Sequence, residues 1–115
     1  MPDITKTRTD LIERAATELG VLPSGQSLSD EDEATIDNLL DPLIRQLALD
    51  DVVDIGDSDA IQSEYFLALA RLLANEAAPS FGQQRSEQMR AENEALLRRM
   101  AATKSTREPL KAVYY

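Results

Sequence analysis

The chain has 115 residues, a formal net charge of −9, and neither cysteine nor histidine. The length suffices for one domain with a modest core, while the missing residue types exclude disulfides, thiolate metal sites and the commonest general base. No apolar run reaches the roughly 20 residues that span a bilayer, and the first ten residues do not resemble a signal peptide. We therefore expect one domain without a membrane partner, kept inside a cell or inside a particle that a cell assembles.

The charge is unevenly distributed along the chain. Residues 1–82 carry 17 acidic and 5 basic side chains, a net charge of −12, whereas residues 83–115 carry 4 acidic and 7 basic ones, a net charge of +3. An acidic body argues against binding to a phosphate backbone, because duplex affinity comes largely from Lys and Arg side chains. A solvated surface tuned for solubility is the plainer interpretation of the same charge.

The first predicted element is a helix over residues 8–19. Thr7 and Asp10 are spaced as a capping box, and apolar residues then recur at helical spacing until Gly20. The loop that follows, residues 21–28, is indicated by Pro23 and Gly25.

A second helix is predicted over residues 30–49, with Ser29 as its N-cap and acidic residues in its first turn. The acidic run lacks the ligand spacing, the central glycine and the closing glutamate of an EF-hand loop, so it indicates a helix start and not a metal site. The apolar stripe of this helix consists of Ile36, Leu39, Leu40, Leu43, Ile44 and Leu47. Pro42 lies within it, where we expect the helix to bend without stopping. Residues 50–57 contain three β-branched residues, which predict a short extended segment.

The third predicted helix covers residues 63–78, with Ile61 as a hydrophobic staple and Ser63 as the cap. Its apolar residues surround it almost completely, so it is predicted to be the central helix. Pro79 ends it.

A fourth helix is predicted over residues 83–102. Its surface is largely charged, with Arg90, Glu94 and Arg98 at i,i+4 spacing. Pro109 opposes any further helix, so residues 103–115 are predicted to form an extended arm. The fold class is therefore all-α, a small bundle of about four helices over residues 1–102 followed by the arm. The narrow apolar stripe of the fourth helix consists of Met89, Leu96, Leu97 and Met100.

The many carboxylates do not define a catalytic site. Asp50/Asp51 and Asp57/Asp59 could be drawn into a hydrolytic pair or a magnesium site, but such a pair needs an apolar pocket, and these lie at helix ends and loops. The four glycines stand singly, so none forms a phosphate-cradling loop. We expect no enzymatic activity, no cofactor and no resident metal.

The candidate binding features are the aromatic arm and a basic strip that consists of Arg90, Arg98, Arg99, Lys104, Arg107 and Lys111. The strip lacks the aromatic residues of a single-strand binder and the density of a duplex binder, so an acidic protein surface suits it as well, and a solvated helix face is plainer than either. Tyrosine is scarce in disordered segments and enriched where partners meet, so the arm is predicted to bind a partner. The predicted contact residues are Arg98, Arg99, Arg107, Leu110, Val113, Tyr114 and Tyr115.

The order of residues over 5–82 resembles the head-to-tail adaptor, or connector, proteins of tailed bacteriophages. The likeness is greatest to the tail accessory or packaged-DNA stabilisation proteins of short-tailed phages. The shared pattern is a first helix that ends in LGV, an acidic start to the second helix, a short extended link, and an alanine-rich third helix that ends in AAPSFG. The fourth helix agrees in character only, and the last ten residues are not part of the match. The matching stretches are TKTRTDLIERAATELGVLPSGQSLSDEDEATIDNLLDPLIRQL and VVDIGDSDAIQSEYFLALARLLANEAAPSFG.

This resemblance implies a structural virion protein of the head–tail neck, made in the host cytoplasm. Such subunits form a homo-oligomeric ring, commonly dodecameric, between the portal protein and the next tail, nozzle or head-closure protein. The ring extends the DNA channel and helps to retain the packaged genome, which passes through the lumen without specific binding. We expect helices 2 and 3 to form the core, helix 4 and residues 103–115 to contact the portal or a neighbouring subunit, and exposed acidic loops to face the lumen or the next ring.

Two other interpretations stay open. A small cytoplasmic regulator, such as an antitoxin-like protein or a coactivator, would use its C-terminal tail to bind an acidic or apolar partner. A cell-wall hydrolase attached to a virion would need two carboxylates whose replacement abolishes activity without changing assembly.

Overall fold

The computed structural model describes residues 5–22 and 25–107. These residues form four α-helices, a 3₁₀ turn and a two-stranded antiparallel ribbon in which Thr5 lies opposite Gln62 and Lys6 opposite Ile61. The all-α bundle predicted from the sequence is confirmed. The elements are β1 (Thr5–Lys6), α1 (Arg8–Leu19), α2 (Asp30–Leu49), β2 (Ile61–Gln62), α3 (Ser63–Ala77), the 3₁₀ turn (Ala78–Phe81) and α4 (Glu87–Arg107).

The first two helices begin as their sequences predict. The Thr7 hydroxyl accepts the Asp10 N–H at 3.1 Å while the Asp10 carboxylate accepts the Thr7 N–H at 3.1 Å, which completes the capping box. Ser29 caps α2 by accepting the Asp32 N–H at 3.2 Å. At the other end of α1, Gly20 adopts a left-handed conformation with φ 75°, which glycine tolerates best. α2 continues through Pro42.

Of the two local predictions between α2 and α3, the one for the cap of α3 is wrong. Ser63 does not cap α3 but is its first residue, because the two residues before it are held in the ribbon with β1. The segment over residues 50–57 was predicted to be extended but too short for a sheet, and it forms no strand: Asp51 turns the chain with φ 56°, and the Val52 N–H donates back to the Leu47 carbonyl at 2.8 Å. Val52 and Val53 are nevertheless buried, so their apolar character serves the core.

The bounds of α4 also differ from the prediction. The helix begins at Glu87 instead of residue 83, because the Asn75 side chain of α3 binds the backbone of Ser86 and the Gln83 N–H donates to the Ala78 carbonyl of the 3₁₀ turn. It continues to Arg107, so residues 103–107 of the predicted arm are helical. Nothing before Pro109 opposes that extension. The rest of the arm, residues 108–115, lies outside the described residues.

α3 is the central helix, as predicted, and contacts α1, α2 and α4. The expectation that helices 2 and 3 form the core is wrong because it omits α1, which packs against α3 more extensively than α2 does. One face of α1 is entirely buried, through Leu11, Ile12, Ala15, Ala16 and Leu19.

Arg8, the first residue of α1, ties three parts of the chain together. Its guanidinium binds the carboxylates of Asp37 and Asp41 in α2 and donates to Ser58 Oγ at 2.9 Å. Its backbone N–H donates to Asp59 Oδ1 at 3.3 Å. The hydrogen bond with Asp41 is the largest cause that raises the pKa of Arg8. These contacts hold the loop before α3 against the start of α1 and the middle of α2.

No helix within residues 5–22 and 25–107 is long and apolar enough to cross a bilayer.

Candidate interaction surface

α4 is attached to the body chiefly along one seam with α3. Leu97 is completely buried in this seam, and Asn93 beside it is 6% exposed. Met89, which the sequence placed in the same apolar stripe, is 38% exposed. The buried face of α4 is therefore narrower than the predicted stripe, and most of its residues over 87–103 are exposed.

A buried asparagine fixes where α4 begins. Asn75 Oδ1 accepts the Ser86 N–H at 2.8 Å, and its amide group donates to the Ser86 carbonyl at 3.2 Å. The Ser86 hydroxyl in turn accepts the Met89 N–H at 3.1 Å, as an N-cap does. Gln83 closes the same link against α1 by donating to the Leu19 carbonyl at 2.7 Å. These contacts set the direction in which α4 leaves the bundle.

The structure places only part of the predicted contact set. Arg98 does not pair with Glu94 but donates to the Asp50 carbonyl at 3.3 Å, which joins α4 to the end of α2. Arg99 is exposed, and Arg107 is the last residue of α4. The basic strip is thus divided between a structural contact and a free side chain. The four apolar members of the set, Leu110, Val113, Tyr114 and Tyr115, lie outside the described residues.

A groove of about 360 Å³ separates α2 from α4 and has α3 as its base. Its apolar lining includes Leu39 and Leu43 of α2 and Leu72 of α3. Sequence reasoning missed this site, since it treated Leu39 as part of the core stripe. Leu39 is in fact half-buried at the edge of that stripe. The remaining lining residues are Pro42, Gln46, Glu76, Arg85, Glu87, Arg90 and Glu94.

Charged side chains form the rim of the groove. Arg90 contacts Glu87 at 2.8 Å and Glu94 at 3.1 Å, the second of which was predicted from their spacing, and Arg85 lies 3.5 Å from Glu76. The hydrogen bond with Arg90 lowers the pKa of Glu87. The same bond, followed by the charge of Glu94, raises the pKa of Arg90. The α4 side of the rim is therefore a set of mutually oriented charges.

Carboxylates of the described residues do not come together as metal ligands: no group of three or more that could hold an ion occurs among them. The acidic first turn of α2 is exposed or half-exposed, and Ser29 and the helix start account for it.

Comparison with known proteins adds no relative. No family model, no curated protein and no solved structure matches the chain.

Proposed function

We propose that this protein is a structural subunit of a head-to-tail adaptor ring in a tailed bacteriophage. In this role it docks onto the portal protein, extends the DNA channel, helps to retain the packaged genome and connects to the next tail component. The proposal begins from the residue order over 5–82, which resembles that family. A four-helix body with a projecting last helix is compatible with such a subunit.

The observation that carries the proposal is the attachment of α4. Because α4 packs mainly on α3, it leaves a groove toward α2, and its outer face is charged and exposed. A ring subunit needs two different surfaces, one for each neighbour, and a helix that stands out from the body supplies them. A helix needed only for the stability of a monomer would bury a wider face.

The charge distribution supports a channel role. The net charge of −12 over residues 1–82 would repel DNA from a lumen lined by that part of the chain. A duplex binder has the opposite design, since its affinity comes from Lys and Arg contacts with phosphate. DNA would then slide through such a ring without being held by it.

The partner contact is assigned to α4 and the residues beyond it. Arg99 is exposed on α4, and the apolar residues that follow Pro109 are Leu110, Val113, Tyr114 and Tyr115. In a ring, a weak contact of this kind is repeated at every subunit, so the assembly gains affinity that no single contact has.

Two truncations test this assignment. Chains that end after Ala102 or after Arg107 should keep the helical signal of the full chain in circular dichroism, apart from the last turn, and should no longer join a portal ring. The shorter chain loses the last turn of α4 and the longer one keeps it, so the pair separates the helix end from the segment. Normal assembly of both truncated chains with the portal would show that the assignment is wrong.

A further inference from the structure

The groove between α2, α3 and α4 is open to solvent and has an apolar base. Leu72 is 2% exposed and Leu43 8%, so the bottom of the groove belongs to the hydrophobic core. Gln46 and Pro42 at its α2 edge are exposed. A groove of this shape, with a dry base and a polar rim, is the type of site that an apolar peptide segment fills.

We propose that this groove binds residues 110–115 of a second copy of this chain. This proposal extends the ring function proposed above, because the contact would supply one of the subunit–subunit contacts that a ring requires. The contact itself does not involve the portal. The segment LKAVYY has five apolar or aromatic side chains among six residues, and tyrosine combines a large apolar area with a hydroxyl that can remain at a polar rim.

The charges of the segment and the groove are complementary. The rim carries three acidic and two basic side chains, a net charge of −1, and residues 110–115 contain one charged side chain, Lys111. Glu76 is the acidic rim residue with the looser ion pair, 3.5 Å from Arg85. Lys111 can therefore approach Glu76 without breaking the shorter contacts of Arg90 with its two glutamates.

The reach of the chain favours a second copy over the same one. The α4 residues that line the groove are Glu87, Arg90 and Glu94, whereas the segment follows Arg107. At 1.5 Å per helical residue the groove begins about 20 Å and ends about 30 Å back along α4. Tyr114 lies seven residues past Arg107, so even a fully extended chain brings it back by at most about 25 Å. The reversal of direction uses part of that length, and the deeper part of the groove stays out of reach.

The proposed contact is heterologous, since each copy donates its segment and accepts that of another. Contacts of this type close into a ring when the rotation between copies permits and otherwise continue as a filament. Residues 102 and 103 are exposed near the end of α4.

Disulfide trapping tests the proposal directly, because the natural sequence has no cysteine to interfere. The probes are two single variants of the full chain, Tyr114→Cys and Gln46→Cys, mixed at about 1 mM each so that even a weak contact is populated. In the matched control, Tyr114→Cys is mixed with Ala48→Cys instead of Gln46→Cys. Ala48 is exposed on α2, two residues from Gln46, and does not line the groove. Circular dichroism checks that each variant keeps its helices.

We expect the mixed Tyr114→Cys and Gln46→Cys dimer to form about tenfold more readily than the dimer with Ala48→Cys, as a contact worth about 1.4 kcal/mol would produce. Equal yields at the two positions, or no mixed dimer at either, would overturn the proposal.

These results are independent of the portal experiment. If the mixed disulfide forms but the protein does not bind the portal, the proposed adaptor function is wrong and the contact between copies still holds. If the protein binds the portal but no mixed disulfide forms, the contact between copies is wrong and the adaptor function still holds.

Discussion

Asn75 is the residue on which the position of α4 depends most. Its amide makes two hydrogen bonds with the backbone of Ser86, and its side chain is 5% exposed. Asn75→Ala would leave the Ser86 N–H and carbonyl without these partners, at a cost of about 2 kcal/mol in the free energy of unfolding. Urea denaturation measures this loss. Asn38→Ala, on the exposed face of α2, is the control and should change stability by less than about 0.5 kcal/mol. Equal stability of the two variants would mean that Asn75 does not hold α4.

Glu87 predicts a pH effect confined to the start of α4. Its pKa is lowered, chiefly by the hydrogen bond with Arg90, from an ordinary value of 4.5. A carboxyl group whose pKa is lower in the folded protein stabilises the fold above its unfolded pKa, and that contribution is lost as the pH falls through the folded value. A carboxyl NMR titration should therefore place Glu87 below 4.5, and Arg90→Gln should bring it back toward that value.

Arg98→Gln is the matched control for this titration, because Arg98 lies on the same helix but donates to the Asp50 carbonyl. It should leave the lowered pKa of Glu87 in place. If Glu87 in the natural sequence titrated at or above 4.5, the contact with Arg90 would be absent in solution.

At the scale of the element, α4 depends on a narrow seam. Leu97 is completely buried against the body, so Leu97→Ala should cost about 2–5 kcal/mol in the free energy of unfolding. The loss should appear first as faster amide exchange along α4, because a helix with few buried contacts opens locally before the rest of the fold. Leu49→Ala is the control, since Leu49 is 72% exposed at the end of α2. Exchange that rose equally in α1 and α4 would show that α4 is not a separate cooperative unit.

The sequence predicted helix starts well where the cap is local. Thr7 and Ser29 needed only residues three positions away, and both cap as expected. It failed where the deciding contact is distant in the chain. The ribbon between residues 5–6 and 61–62 displaced the predicted cap at Ser63, and Asn75 delayed the start of α4 to Glu87. Asp51 carried no visible signal of the turn that it makes, because its left-handed conformation is one that glycine usually occupies.

The candidate site was predictable only in part for the same reason. Periodicity identified Leu39 and Leu43 as apolar positions of α2, but it could not say that α4 would stay apart from them and leave a groove. The basic strip was predicted as a set, yet Arg98 is drawn to Asp50, 48 positions earlier in the sequence. Which charged side chains stay unpaired depends on how the helices pack against one another, and the sequence pattern alone does not predict that packing.

At the scale of the whole molecule, the charge distribution and the shape are compatible with the proposed adaptor role. The body over residues 1–82 is strongly acidic, and the basic residues are concentrated in the last helix and beyond it. The molecule is elongated, with extents of 54 × 31 × 20 Å. A subunit of this form can present one end to a partner ring and its acidic body to a channel, and the two functions do not compete for the same surface.

Mass determination in solution tests the central claim most directly. The purified full chain is measured alone and after mixing with the candidate portal ring, by native mass spectrometry or light scattering. The adaptor proposal predicts that the chain joins the portal in a fixed ring stoichiometry. A small stable oligomer that is indifferent to the portal would contradict it and would favour the alternative of a cytoplasmic regulator.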